Sequence, residues 1–266
     1  MERSIQKYVE VDQGRVTVDV HGEPDQPAIV LIPGAMADAA AWSAVARHLD
    51  GWPTVAVVNR RGREPSGPLP DGYGLATEIE DAAAVLRGFT DVRTLFGWSY
   101  GGLIALHLAN IRPVPHLIAY EPVMAPFGAA ALPDLRRAQD DGDLDASITV
   151  ALQQVTGMDD ATTAALRADT ATWSELRRLG APAYRETLAI NEAARPAVLA
   201  ARAARVDLVV GERNRGRAPY GTSFDDVARH VPGAVVHELT GQGHLAHLDA
   251  PGHLASLVSR LGTLDT

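Results

Sequence analysis

Gly97-Trp98-Ser99-Tyr100-Gly101, with Gly102 behind it, has the spacing G-x-S-x-G. On a turn this tight, side chains at the first and last positions would collide with neighbouring backbone, which accounts for glycine at both. Set between a strand and a helix, the turn pushes Ser99 Oγ out above the carboxyl ends of the strands. The dipole of the following helix then favours negative charge beside it. The chemistry this allows is nucleophilic attack; the alternative is a glycine-rich turn with an incidental serine. A serine hydroxyl needs a base to take its proton, and histidine suits neutral pH. Of nine histidines, His244 stands in Gly241-Gln242-Gly243-His244, where glycines let a loop bend back toward the serine. His247 competes, although its place at the start of the final helix also suits packing or capping. His107 and His116 fall in or beside core elements, and the remaining five have no motif around them.

These residues require a framework, and the hydrophobic pattern predicts one. Alternating segments at residues 7–11 and 16–21 flank Asp12-Gln13-Gly14 and predict an antiparallel hairpin. The continuous apolar run 28–32, bounded by Pro27 and Pro33, predicts a strand buried on both faces. Asp38 precedes a helix over 39–49, in which Trp42, Val45, Ala46 and Leu49 recur at helical spacing. Strands at 54–58, 94–96 and 116–120 then alternate with helices at 77–87 and 101–110. From 126 to 204 strand signals stop, and alanine-rich helical segments are broken by Asp141-Gly142, Gly157, Gly180-Ala181-Pro182 and Pro196. The alternation resumes with a strand at 206–210, a helix at 224–231, a strand at 234–239 and a last helix from about 250 to 261. Such a pattern predicts an α/β fold: a mostly parallel eight-stranded sheet with helices on both faces. Residues 1–125 and 205–266 form the expected core, and 126–204 a helical cap insertion.

In its order of strand, G-x-S-x-G turn, helical insertion and late histidine, nearly the whole chain resembles the α/β-hydrolase family. The resemblance implies an eight-stranded sheet with a helical cap, and a base on the loop where His244 stands. It also implies an acid shortly after the strand at 206–210, where Gly211-Glu212-Arg213-Asn214-Arg215 offers Asn214 in the expected place. Asparagine can orient a neutral imidazole but cannot neutralise the imidazolium formed during attack. Some members carry the acid one strand earlier, which points to Glu121 in Ala119-Tyr120-Glu121-Pro122, ahead of Glu212, Asp207 or Asp249. A glutamate ending a buried strand is costly without a partner. The other reading pairs it with Arg60 or Arg61, or makes it a cap of the insertion.

Acyl transfer builds negative charge on a carbonyl oxygen, and two backbone N–H groups aimed at it stabilise that charge. The turn supplies one at Tyr100; the other belongs to the loop after residues 28–32, where the family's common His-Gly is Pro33-Gly34 and the donor becomes Ala35, ahead of Met36. Met36 and Trp98 either line an acyl pocket or belong to the core. Asn59-Arg60-Arg61-Gly62-Arg63-Glu64-Pro65-Ser66 resembles the family's Asp-x-Arg-Gly-x-Gly-x-Ser loop, with asparagine first and Glu64 replacing a glycine. Its arginines are expected to be solvated, the other reading being attraction of an acidic substrate.

The 266-residue chain, 46% hydrophobic and 21% charged, has the composition of a folded domain. A net charge of −9 without basic runs argues against nucleic acid. No apolar stretch has membrane-spanning length, residues 1–10 lack a signal-peptide core, and cysteine is absent, so a cytoplasmic protein is expected. No motif implies a metal or organic cofactor, and none bears on oligomeric state. The expected partner is a small-molecule substrate, and the expected reaction serine hydrolysis of a carboxylic ester or lactone. Alternatives are carbon–carbon bond hydrolysis, perhydrolysis, cyclisation, or a binding protein without catalysis. The resemblance disfavours dehalogenase or epoxide hydrolase chemistry, whose members attack with aspartate at the turn.

Overall fold

In the computed structural model, which describes residues 4–262, strands β1 (Ile5–Val11) and β2 (Gly14–Gly22) pair antiparallel across the turn at Asp12-Gln13. Strand β3 (Ala28–Ile32) is buried along its whole length, as its unbroken apolar run requires. Ala28, Val30 and Ile32 enter the core on one face, Ile29 and Leu31 the core on the other. Helix α1 (Ala39–His48) begins at Asp38, whose carboxylate accepts from the Ala41 amide at 3.1 Å. After β4 (Thr54–Asn59) come α2 (Leu75–Arg87), β5 (Val92–Trp98), α3 (Tyr100–Ile111) and β6 (Val114–Tyr120). The sheet order is β1-β2-β4-β3-β5-β6, continued by β7 (Ala203–Gly211) and β8 (Val235–Leu239). Only the pairings of β2 with β1 and β4 are antiparallel.

Between β6 and β7 the chain is helical. A 3-10 turn (Ala129–Ala131) leads into α4 (Leu132–Asp140) and α5 (Leu144–Val150), which continues as a π-helical turn (Ala151–Val155). Helices α6 (Asp160–Ala168), α7 (Thr170–Gly180) and α8 (Ala183–Glu192) follow. Strand β7 starts at Ala203, inside the stretch expected to be helical, because Ala203 pairs with Val114 and Arg205 with His116. The insertion has small apolar clusters of its own, built from Ala131, Leu135, Ala151 and Ala183, and from Ile148, Leu152 and Trp173. Beyond β7, helix α9 (Tyr220–Ala228) starts and ends earlier than the apolar spacing predicts, directly behind Pro219. The chain closes with α10 (Ala246–Asp249) and α11 (Pro251–Gly262). Expectations touching residues 1–3 and 263–266 lie outside the described residues. Among those described, no helix is long and apolar enough to cross a membrane.

The expectation of solvated arginines after β4 is overturned. Arg60, Arg61 and Arg63 are 2%, 1% and 1% exposed, among the most deeply buried large side chains. Their counter-charges come from distant elements. Arg60 Nη1 lies 2.7 Å from both Glu78 of α2 and Glu186 of α8. Arg61 grips Asp81 of α2 with two bonds of 2.6 and 2.8 Å, and Arg63 grips Glu186 with two of 2.8 Å. Burial works to raise the Glu186 carboxyl, but Arg60 and Arg63 outweigh it and hold it below its ordinary value. Three cations and three carboxylates thus leave no net charge, and Glu186, shared by Arg60 and Arg63, fastens the insertion to the core. Removing one partner of a buried pair leaves an uncompensated charge. Arg63→Met is therefore expected to destabilise the protein by about 3–5 kcal/mol. Arg93→Met, at the exposed pair with Asp91, is expected to cost less than about 1 kcal/mol. Urea denaturation of both variants checks this.

Candidate active site

Three strands bring the site residues out of the sheet at one level. Trp98 of β5 is in register with Tyr120 of β6, and Tyr120 with Val209 of β7. Ser99 and Glu121 each follow the last residue of their strand, so they stand side by side. Both backbones turn sharply. Ser99 has φ 56° and ψ −121°, Glu121 has φ 40°, and Met36 on the neighbouring loop has φ 52°. Among the described residues these are three of five non-glycine positions with positive φ, a concentration of strain expected where backbone is bent for function. At the turn, a Cβ on Gly101 would stand 2.0 Å from the Ile32 carbonyl oxygen and one on Gly97 2.4 Å from the Gly101 oxygen. No other residue fits.

Glu121 meets His244 and no arginine. Its Oε2 lies 2.6 Å from His244 Nδ1, and the residue is fully buried. Because a carboxylate accepts, Nδ1 carries the proton and Nε2 is left as the basic nitrogen. The other partners of Glu121 are uncharged donors. The Gly211 amide reaches Oε1 at 2.9 Å, and Asn214 Nδ2 reaches Oε1 at 3.0 Å and Oε2 at 2.9 Å. Asn214 occupies the position where the family pattern expects an acid, and here its amide donates to the Glu121 carboxylate that follows β6. The rejected candidates are engaged elsewhere: Asp207 takes His116 and His237 at 2.7 Å each, and Glu212 accepts from the Gly241 amide at 2.6 Å. Burial pushes the His244 imidazole below its ordinary value, against an upward pull from Glu121.

Aromatic side chains hold the imidazole in place. Trp98 Nε1 donates to the His244 carbonyl at 2.9 Å, and the Tyr120 hydroxyl donates to the Gly243 carbonyl. The loop is thus tied down by the residues immediately before Ser99 and Glu121. Tyr220, on the first turn of α9, stacks on the His244 ring with centroids 3.6 Å apart and planes 14° apart. Of the two readings of Trp98, the core one fits: it is 4% exposed, between Trp42, Phe96 and the imidazoles of His244 and His247. His247 lies flat on Trp42 at 4.7 Å, with its pKa pushed down to about 3 chiefly by burial. It is a neutral packing residue.

The loop after β3 crosses Ser99 at close range, since a Cβ on Gly34 would fall 2.8 Å from Ser99 Cβ. Neither the Ala35 nor the Tyr100 amide meets an acceptor among the described residues. Tyr100 is the first residue of α3, where N–H groups have no intrahelical partner. Met36 is half-buried and packs against both apolar clusters of the insertion. Among the described residues no group of three His, Asp or Glu could hold a metal ion. Tyr120, Asn214 and Tyr220 escaped sequence reasoning as positioning groups. For Asn214 the signal was present, in its occupation of the expected acid position.

Comparison with known proteins bears on the family and the fold of the chain. Residues 29–255 match the model of the alpha/beta hydrolase family. A stretch of 103 residues is 35% identical to the Bacillus subtilis (strain 168) protein named "Uncharacterized hydrolase YraK", covering 37% of this chain and 38% of that protein's length. An alpha/beta hydrolase from Sphaerobacter thermophilus DSM 20745 shares the fold with a TM-score of 0.79 at 21% identity, over 97% of this chain and all (100%) of that one. The enol-lactonase from Burkholderia xenovorans LB400 shares it with a TM-score of 0.74 at 16% identity, over 96% and 98% of the two chains. With most of its length matched by the family model, the chain belongs to the alpha/beta hydrolase family.

Proposed function

We propose that this hydrolase cleaves a carboxylic ester or lactone through an acyl-enzyme on Ser99, with His244 as base and Glu121 as the triad acid. The observation that carries this reading is the 2.6 Å contact between Glu121 Oε2 and His244 Nδ1, beside a serine at the strained turn on the adjacent strand end. Ser99 Oγ attacks the substrate carbonyl carbon while His244 Nε2 takes its proton. The oxyanion of the tetrahedral intermediate accepts from the Ala35 and Tyr100 amides. Collapse breaks the carbon–oxygen bond, and the imidazolium returns its proton to the departing alcohol. Water, activated by the same nitrogen, then attacks the acyl-enzyme and releases the acid. With a lactone, alcohol and acid remain one molecule, the chemistry class named for the Burkholderia neighbour. Residues 126–202 act as a cap over the core segments 4–125 and 203–262, and Met36 lines the acyl side beneath it.

Glu121 accepts only from neutral donors besides His244, so its charge is available to the imidazolium. Two mutational tests and one pH test follow from this geometry. Ser99→Ala is expected to abolish ester turnover and fluorophosphonate labelling while melting as the wild type does; persistent turnover in the folded variant removes Ser99 from its role. Glu121→Gln is expected to lower kcat by about 10⁴-fold, as loss of a triad carboxylate does. Asn214→Ala, which removes one amide, is expected to cost about 10–100-fold. Steady-state kinetics giving the reverse ranking would move the acid away from Glu121. Since the base works only when neutral and its folded pKa is lowered, log kcat/KM is expected to rise with pH through a midpoint below 6.5 and then stay flat to neutrality. A midpoint above that value contradicts the buried-base assignment.

A further inference from the structure

The Arg60 side chain does more than balance charge. Its Nε donates to the Pro33 carbonyl at 2.8 Å and its Nη2 to the Gly34 carbonyl at 2.7 Å, both on the loop that crosses Ser99. The Gly34–Ala35 peptide is not among the cis bonds, and in a planar trans peptide the C=O and N–H point in opposite directions. Fixing the Gly34 oxygen on Arg60 therefore fixes the direction of the Ala35 N–H. The same guanidinium lies over the ring of Tyr100, with its carbon 5.0 Å from the ring centroid. One side chain thus reaches the oxygen of the Gly34–Ala35 peptide and the ring of Tyr100.

What holds Arg60 there is split between the core and the insertion. Nη1 lies 2.7 Å from Glu78, which also accepts from the Tyr73 hydroxyl at 2.6 Å, and 2.7 Å from Glu186 on α8. Two further links join this loop to the insertion: Met36 packs among its helices, and Arg178 of α7 bonds the Asp38 carboxylate. We propose that Arg60 is a positioning residue that aims the Ala35 amide at the oxyanion. Glu186, by supplying part of its counter-charge, makes that aim depend on the seating of the insertion. The loop is correctly set only when α8 is docked. This inference rests on the assignment of Ser99 as nucleophile and Ala35 as oxyanion donor.

The test uses the full-length chain, a p-nitrophenyl acyl ester, and a trifluoromethyl ketone of the same acyl chain, which adds to the serine as a tetrahedral adduct. Arg60→Lys keeps the charge but loses the fork. Arg60→Met with Glu78→Gln removes the donors while keeping the buried charges balanced. Both are expected to lose about 10²-fold or more in kcat, the scale of a lost oxyanion donor. Ketone affinity should fall in parallel while KM stays within about threefold, since the donor acts on the tetrahedral state. Glu186→Gln, which touches neither loop carbonyl, is expected to show the same split at smaller amplitude; it carries the test if the Arg60 variants do not fold. Folded variants with kcat and ketone affinity within about threefold of wild type overturn the proposal, as does a parallel rise in KM with unchanged ketone affinity. Turnover that survives Ser99→Ala sinks the underlying serine assignment instead, so the two failures are told apart.

Discussion

Parallel register is the constraint on which the site depends. Trp98, Tyr120 and Val209 lie abreast on three adjacent strands; β5 and β6 end there, so Ser99 and Glu121 leave the sheet side by side, while β7 runs on to Gly211. Slipping one strand by a single residue would turn its side chains to the opposite face. The register is guarded by cores on both faces: Phe96, Ile118 and Val209 enter one, while Leu95, Leu117 and Leu208 enter the other. Packing that has nothing to do with catalysis thereby sets Ser99 beside Glu121.

Two kinds of buried charge are handled in opposite ways. The arginines after β4 are matched one for one by carboxylates, which immobilises them and leaves no net field. Glu121 has no cationic side chain; an amide, an asparagine and an imidazole surround it. Neutral donors compensate its desolvation without neutralising it. A carboxylate so placed keeps its charge available to the His244 imidazole, as the proposed mechanism requires. An arginine at Asn214 would satisfy Glu121 equally well and leave nothing for the imidazole.

The insertion is bound to the core through the loops after β3 and β4 as well as through apolar packing. Arg60 and Arg63 share Glu186, Arg178 reaches Asp38, and Met36 sits between the helices. Tyr220, on the returning side of the chain, covers the imidazole. The loop after β3, the insertion and the segment carrying His244 are consequently each held by side chains from other parts of the chain.

The sequence by itself determined what is local. A two-faced apolar run becomes β3, helical spacing of Trp42, Val45 and Ala46 becomes α1, and glycines at 97 and 101 permit the turn at Ser99, because these follow from side-chain period and backbone sterics. The contact of Glu121 with His244 was legible too, through the missing charge at Asn214 and the cost of a buried strand-end carboxylate. Tertiary structure alone decided the fate of the arginines, whose partners Glu78, Asp81 and Glu186 stand up to 126 residues from Arg60 and up to 123 from Arg63. It also decided that Asn214 serves Glu121, that Tyr220 caps His244, and that Trp98 is core rather than lining. Each of these depends on which distant groups share a desolvated volume. Charge pairing and aromatic stacking carry no periodicity along the chain, so only the closed fold brings the partners together.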